Sequence, residues 1–421
     1  MRLKINKSIL QGKIRIPASK SHTIRAVALA GVAEGKSVLK NPLLSADTIS
    51  CIEGIQELGA DVVQGNTLEI TGTGGLPKPD CKKIDVGNSG TSLRILTGLA
   101  SLADFPILFD GDSSIRRRPM MPLFSALENL GASIQSTGGK CPFTITGPVR
   151  GGHTTVDVIS SQFLTSLLLA CPLASGDTEI VAENLHEKPY VEMTLDWLRK
   201  LDISFEQNGL DWFRIPGRQR YQAFQRSIPA DFSSATFVAC AAAVTGSEIL
   251  IKGLDFSDHQ GDKEIFSFLL NMGAQIQHVQ EGVIVKGGDL KGIDIDMNNT
   301  PDALPVFAVV GCYAKGTTRL LNVAQARYKE CDRISAAAAE LSKMGAEIEE
   351  LEDGLIIHQS ALKGCEVRGY HDHRMVMALS VAGMMAEGET FVDTAESIRI
   401  TYPGYLEDMK AIGARMEIPE N

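Results

Sequence analysis

The chain lacks several features that would mark common protein classes, and each absence narrows its function. None of its eight cysteines (Cys51, Cys81, Cys141, Cys171, Cys240, Cys312, Cys331 and Cys365) forms a C-x-x-C pair. Most lie in apolar helical contexts, so they read as reduced small hydrophobes, and a cytoplasmic protein is expected. No apolar run reaches the roughly 18 residues that cross a bilayer, so no membrane partner is expected. Residues 1–17 hold three lysines and two arginines but no apolar core. The alternation of Leu3, Ile5, Ile14 and Ile16 reads as strand, not as a secretory signal. Positive charge is also in deficit. Lys and Arg number 41 against 51 Asp and Glu, a formal net charge of −10. That balance argues against a nucleic-acid surface, and any anionic ligand must be held by local clusters of Arg and Lys. There is no zinc pattern, Walker loop or dinucleotide fingerprint. Gly87-Asn88-Ser89-Gly90-Thr91 lacks the required spacing and lysine, so neither metal nor nucleotide cofactor is expected.

What the chain does have is a repeat. With 421 residues it exceeds one ordinary core, and two domains are the default. An apolar-Gly-Ala-x-apolar signature recurs at Leu58-Gly59-Ala60, Leu130-Gly131-Ala132, Met272-Gly273-Ala274, Met344-Gly345-Ala346 and Ile412-Gly413-Ala414. A degenerate copy stands at Leu201-Asp202-Ile203. Positions 59, 131, 202, 273, 345 and 413 are separated by 72, 71, 71, 72 and 68 residues, so six units fill the chain. Before each signature comes an amphipathic stretch, as in Ile49, Ile52, Ile55 and Leu58, or Leu123, Leu127 and Leu130. The glycine supplies a left-handed helix cap, with Asp202 its one substitute. A hairpin follows, as in residues 60–64 and 67–71 around Gly65-Asn66.

Upstream of each amphipathic helix lies a second one, apolar nearly all round, as at residues 163–173, 235–244, 303–312 and 375–385. Such helices are buried on every face. The polar stretch 218–228 divides units one to three from four to six. The last unit stops short of its second hairpin strand, and the N-terminal strands are the available replacement. The spacing therefore predicts an α/β chain of two domains. Residues 17–225 form a first domain inserted into a second, made of 1–16 and 226–421.

Polar residues gather just ahead of the six buried helices: Ser19-Lys20-Ser21, Gly87 to Thr91, Ser160-Ser161-Gln162, Asp231-Phe232-Ser233-Ser234, Pro301-Asp302 and His371 to Arg374. Any one of them is explained by N-capping. Six quasi-equivalent helix starts also form places where free amides and helix dipoles favour phosphate and carboxylate. Arg25, Arg94, Arg118, Arg333 and Arg374 accumulate at the same places. Arg25 and Arg94 stand one turn into apolar helices, where an unpaired guanidinium is costly and bidentate anion recognition accounts for it better. The acid–base candidates are Asp302 and the Lys329-Glu330 pair; an ordinary acidic first turn explains Lys-Glu-x-Asp-Arg equally well.

Along nearly the whole chain these motifs resemble those of the 5-enolpyruvylshikimate-3-phosphate synthases. They are Pro17-Ala18-Ser19-Lys20-Ser21-x-x-x-Arg25, Gly87-Asn88-Ser89-Gly90-Thr91-x-x-Arg94, Arg118-Pro119, Ser160-Ser161-Gln162, Lys188-Pro189-Tyr190, Pro301-Asp302, Lys329-Glu330-x-Asp332-Arg333 and Asp372-His373-Arg374-Met375. The resemblance implies a two-domain inside-out α/β barrel, three βαβαββ units per domain, with the site in the cleft between domains and closure on binding. It implies enolpyruvyl transfer from phosphoenolpyruvate to the 5-hydroxyl of shikimate 3-phosphate by a monomer, on the route to chorismate and the aromatic amino acids. Shikimate 3-phosphate would contact Lys20, Ser21, Arg25, Ser160, Ser161, Gln162, Tyr190, Asp302, Gln325 and Lys329. Phosphoenolpyruvate would contact Lys20, Asn88, Gly90, Thr91, Arg94, Arg118, Gln162, Arg333, Arg374 and Arg399. Asp302 would be the base for the 5-hydroxyl; Glu330 with Lys329, and Lys20, complete the catalytic set. The family inhibitor glyphosate would occupy the phosphoenolpyruvate site, where Gly90 leaves room.

Four positions depart from the family pattern. Ile24 replaces an asparagine, Glu187 a serine ahead of Lys-Pro-Tyr, and Gln325 an asparagine or histidine. Ile400 stands where a lysine is usual; either Arg399 substitutes or phosphoenolpyruvate binding is weakened. Two other readings compete. UDP-N-acetylglucosamine enolpyruvyl transferases carry a cysteine in the loop that here, at 110–118, has none. A non-catalytic binding paralogue would explain Ile400 and Glu187, but not the retention of Asp302, Lys329 and Glu330.

Overall fold

The computed structural model describes residues 1–78 and 82–419. Cys81 lies outside them; the seven described cysteines are all free thiols. The chain forms two compact units, residues 18–229 and residues 1–17 with 230–421. No helix among the described residues is long and apolar enough to cross a membrane.

The unit of residues 18–229 contains helices α1 (Lys20–Val32), α2 (Ala46–Glu57), α3 (Gly90–Ala100), α4 (Met121–Asn129), α5 (Ser161–Ala170) and α6 (Lys188–Lys200). Its three sheets each have four strands in one pattern. In the second, Lys83–Asp85 pairs parallel with Ile107–Asp110 across the buried helix α3. The hairpin of Ser133–Ser136 and Phe143–Thr146 then adds antiparallel. A parallel pair requires a crossover, and the all-round apolar helix provides it.

Every residue of α3 is buried, and α1 is buried from His22 to Val32. Close approach makes this possible. A Cβ on Gly98 of α3 would lie 2.4 Å from Ser166 Oγ and 2.7 Å from the Ser166 carbonyl oxygen of α5. Ser166 Oγ instead donates to the Arg94 carbonyl at 2.6 Å, fixing the two helices side by side.

The second unit repeats the plan with α7 (Phe232–Thr245), α8 (Ile265–Met272), α9 (Leu304–Tyr313), α10 (Arg333–Lys343), α11 (His373–Gly383) and α12 (Tyr405–Ala411). Here α7, α9 and α11 pack on one another. Two of its sheets borrow from the N-terminus. Gln11–Arg15 runs parallel to Glu248–Lys252. Leu3–Asn6 lies antiparallel between Thr390–Val392 and Arg415–Glu417, in the position of the missing hairpin strand.

The divide between the units falls at Pro229 rather than between 225 and 226. Gln225–Ser227, within the polar stretch read as the divide, is a strand parallel to Lys36–Lys40, and it supplies the first strand that repeat one lacks. All three of its residues are exposed, so no alternation marks it.

The repeat signature has the conformation its chemistry requires. Gly59, Gly131, Gly273, Gly345 and Gly413 have φ between +96° and +111°, and Asp202 has φ +56°. Only glycine, and to a lesser degree Asp or Asn, accepts that region cheaply. One position of the α2 stripe differs from expectation: Ile49 is exposed, and Cys51 joins Ile52 and Ile55 inside. Thr48 fills the inward position of the first turn, where its hydroxyl donates to the Leu43 carbonyl at 2.7 Å.

Candidate active site

Each unit gathers buried charged groups near the starts of its helices. In the unit of residues 18–229, Ser19, Ser89 and Ser160 cap α1, α3 and α5, accepting from the amides of His22, Ser92 and Gln162. Lys20, in the first turn of α1, pairs with the buried carboxylate of Asp47 at 3.1 Å. Ser21, beside it, accepts through its carbonyl from Arg25 Nη1 at 3.1 Å.

Arg25 is almost fully buried and extensively bonded. Its Nε donates to Thr194 Oγ1 at 2.9 Å, and its Nη2 to the Tyr190 carbonyl at 3.0 Å and Thr165 Oγ1 at 3.3 Å. Burial lowers its pKa to about 10, against the opposing influence of Tyr190 and Glu187. Of five N–H groups, one on Nη1 is left without a described partner for a ligand.

Arg94 and Arg118 form a second cationic pair around Gly90. Arg94 Nη1 donates to the Gly90 carbonyl and to Gln162 Oε1, and Nη2 to the Pro119 carbonyl, all at 3.2 Å. Its guanidinium also lies over the Phe163 ring. Arg118 Nη2 donates to Asn88 Oδ1 at 2.9 Å and to Ser114 Oγ at 3.3 Å. A Cβ on Gly90 would stand 2.4 Å from Arg118 Nη1 and 2.5 Å from Arg94 Nη1, so only glycine admits both guanidiniums. Gln162 Nε2 reaches Thr91 Oγ1 at 3.2 Å and completes the link from α5 to α3.

At the start of α5 the neighbour is acidic. Glu187 Oε2 accepts from Ser161 Oγ at 2.8 Å and from the Ser161 amide at 3.2 Å. Glu187 is buried and left-handed, with φ +56°.

In the other unit the centre is Arg333, at the first position of α10 and 1% exposed. Nη1 donates to Asp302 Oδ1 at 2.6 Å and Nη2 to Glu330 Oε2 at 2.6 Å, while Nε donates to Asp372 Oδ2 at 2.8 Å. Burial alone would lower its pKa, but Asp372, Glu330 and Asp302 outweigh that and hold it well above the ordinary arginine value. Arg374, equally buried, bonds Asp302 Oδ2 at 3.2 Å. Its Nε and Nη1 have no acceptor among the described residues, although both are shielded from solvent. Buried donors left unpaired by the protein suit an ordered water or an anion.

Gln325, also buried, donates to the Asn298 carbonyl at 3.0 Å, and its Oε1 likewise has no partner among the described residues. Lys329 is half-buried beside Glu330 in the chain. Arg399 is exposed on the turn Ala395–Ile400, and no described contact brings it to Arg333 or Arg374. Ile400 beside it is buried.

Several supporting groups escaped the reading of the sequence. Thr165 and Thr194 hold Arg25, Asp47 holds Lys20 and Asp372 holds Arg333. Asp372 stood in a quoted motif but read only as a cap. The threonines carried one signal, a hydroxyl in an otherwise apolar helix face.

Guanidiniums braced near helix starts, with carboxylates gripped beside them, suit small ligands bearing several negative charges, and the repeated α/β architecture is one shared by the enolpyruvyl transferases. Residues 5–409 match the family model of EPSP synthase (3-phosphoshikimate 1-carboxyvinyltransferase). A 3-phosphoshikimate 1-carboxyvinyltransferase of Acetivibrio thermocellus is 49% identical over 98% of this chain and 99% of that protein. One of Methanocella arvoryzae is 45% identical over 99% of each. The solved EPSP synthase of Acinetobacter baumannii superposes over the full length of both chains with a TM-score of 0.82 at 27% identity. The chain belongs to the EPSP synthase family.

Proposed function

We infer that this chain transfers the enolpyruvyl group of phosphoenolpyruvate to the 5-hydroxyl of shikimate 3-phosphate and releases phosphate, the shikimate-pathway step that leads to chorismate and the aromatic amino acids. The observation that carries the reading is the fork of Arg333. Its two terminal nitrogens hold Asp302 and Glu330, each at 2.6 Å. Addition of a hydroxyl across a carbon–carbon double bond needs a base for the hydroxyl proton and an acid for the methylene carbon.

In the proposed sequence Asp302 takes the 5-hydroxyl proton as the oxygen bonds to C2 of phosphoenolpyruvate. Glu330, with Lys329, delivers a proton to C3, giving a tetrahedral intermediate. Glu330 then takes back a proton from C3, re-forming the double bond as the C2–O bond to phosphate breaks and the proton on Asp302 passes to the departing phosphate. Arg374 supports this assignment through its two orphan donors, which suit the phosphoenolpyruvate anion together with Arg333, Arg94, Arg118 and Lys20. Asn88, Gly90, Thr91 and Gln162 would shape that pocket, and Arg399 would add charge from its exposed turn.

For the acceptor, Ser160 and Ser161 would take the 3-phosphate at the start of α5. Ser21 and the remaining Arg25 N–H would take the carboxylate and ring, with Gln162, Tyr190, Gln325 and Lys329 around them. Cytoplasmic residence, a monomeric state and the absence of a nucleic-acid partner belong to the same reading, supported by free cysteines and a net charge of −10.

The test is phosphate release from phosphoenolpyruvate with shikimate 3-phosphate as acceptor, beside Asp302→Ala. Release that falls about 10²- to 10⁴-fold in the variant is expected of a lost general base. An unchanged rate would overturn the assignment of Asp302.

A further inference from the structure

The α5 start holds a contradiction. A helix N-terminus flanked by two serine hydroxyls suits a phosphate, yet a carboxylate of the protein already lies on it. Both the amide and the hydroxyl of Ser161 donate to the same oxygen of Glu187, at 3.2 and 2.8 Å. This is not a loose surface contact. Glu187 is 2% exposed, and its left-handed backbone turns the side chain back over α5 from the start of α6. It lies close enough to Arg25 to oppose the lowering of that pKa.

We propose that Glu187 is an internal counter-ion of the acceptor site, occupying the phosphate seat of α5 in the free enzyme and swinging out when the acceptor's phosphate arrives. The proposal rests on the reading that Ser160 and Ser161 receive the 3-phosphate. A phosphate dianion and the Glu187 carboxylate compete for the same two donors, and at hydrogen-bond distances they would also repel one another. Binding of the phosphate therefore includes breaking two charge-assisted hydrogen bonds, and Glu187 sets the affinity for the phosphorylated acceptor. Emptied of a ligand, the helix start is not left with uncompensated dipole and buried hydroxyl, which gives the residue a structural reason to be acidic.

The consequence is specific to the phosphate. Removing the charge at Glu187 should strengthen binding of shikimate 3-phosphate and leave unphosphorylated shikimate almost unaffected. Calorimetry of both compounds with wild type, Glu187→Gln and Glu187→Asn tests this. Glutamine keeps the shape, and asparagine tolerates the left-handed backbone while falling short of Ser161. Both variants are expected to bind shikimate 3-phosphate about tenfold tighter, the scale of one helix-terminus or charge-assisted contact. Shikimate, which has no phosphate to compete for the Ser161 donors, should change less than about twofold.

Equal or weaker binding of shikimate 3-phosphate by both variants would overturn the proposal, as would equal tightening of both ligands. Adding Ser161→Ala to Glu187→Gln separates the two layers of the argument. If that change leaves shikimate 3-phosphate affinity intact, the phosphate seat itself is misassigned. If it weakens affinity while Glu187→Gln alone gave no gain, the seat stands and only the competition fails.

Discussion

Arg94 Nη1 lies 3.2 Å from Gln162 Oε1, and this bond joins α3, one turn in, to the first turn of α5. In the proposed site the guanidinium is thereby aimed in advance, which removes an ordering cost from binding. Gln162→Ala breaks the bond and the companion contact to Thr91. A hydrogen bond to a charged group contributes about 1.5–3 kcal/mol. The expected result in steady-state kinetics is a KM for phosphoenolpyruvate raised about tenfold or more, with a smaller change in kcat.

Gly90 makes a sharper case, because its replacement touches two cations at once. The Cβ of Gly90→Ala would meet Arg118 Nη1 at 2.4 Å and Arg94 Nη1 at 2.5 Å. Both are ends of flexible side chains, so the fold can yield cheaply while their aim is lost. We expect a thermal midpoint near that of wild type and a KM for phosphoenolpyruvate raised about 10- to 100-fold, the scale of a misplacement near 1 Å. A large loss of stability with unchanged KM would contradict this account.

Arg333 and Arg399 differ in the opposite way. Arg333→Ala leaves Asp372, which is wholly buried, without its cation. Breaking a buried pair from one side costs about 3–5 kcal/mol, to be read as a fall in unfolding free energy in urea. Arg399→Ala removes an exposed charge with no described contact, and its stability should stay within about 0.5 kcal/mol of wild type.

Acid should expose the contribution of Glu340. Burial would raise its pKa, but Lys343 Nζ, the Arg368 amide and the Tyr370 hydroxyl all donate to its carboxylate, and together they hold the pKa below the ordinary 4.5. A carboxylate whose pKa is lower when folded stabilises above its unfolded pKa, and the gain disappears as pH falls through the folded value. Thermal midpoints measured from pH 7 down to about 3 should therefore fall more steeply for wild type than for Glu340→Gln, with the difference confined below about pH 4.5. The same bonds fix the segment that leads into α11 and Arg374, so the variant should also lose affinity for phosphoenolpyruvate at neutral pH.

Much of the fold was legible because its repeat carries a backbone requirement. A left-handed cap can be filled by few residue types, so five glycines and Asp202 mark the six units even where other similarity has faded. The α/β class and the buried helices followed from the same periodicity. Gln225–Ser227 was not legible, since a short strand with exposed side chains has no alternation to read. Ile49 misled because one buried threonine rotates the inward face of a first turn.

The site was legible as residue types and less so as partnerships. Arg25 and Arg94 stood out as guanidiniums in apolar helices and Arg333 as one at a helix start, and each is buried. What holds them comes from distant parts of the chain: Thr194 for Arg25, Gln162 for Arg94, Asp372 for Arg333. Such pairings depend on helix packing, which no local pattern encodes. Glu187 was visible as an acid out of place, but its two bonds to Ser161 were not.

The passage of the chain from one unit to the other after Pro17 and after Pro229 has a consequence for synthesis on the ribosome. Residues 18–229 contain every strand of their own three sheets, including the returning Gln225–Ser227. That half can close as soon as it has emerged. Leu3–Asn6, made first, must wait for Thr390–Val392 and Arg415–Glu417, which are made almost last. Until then its apolar Leu3 and Ile5 have no sheet to enter. Leu3 and Ile5 are thus buried only after about 400 further residues have been added, a long-range pairing that folds slowly.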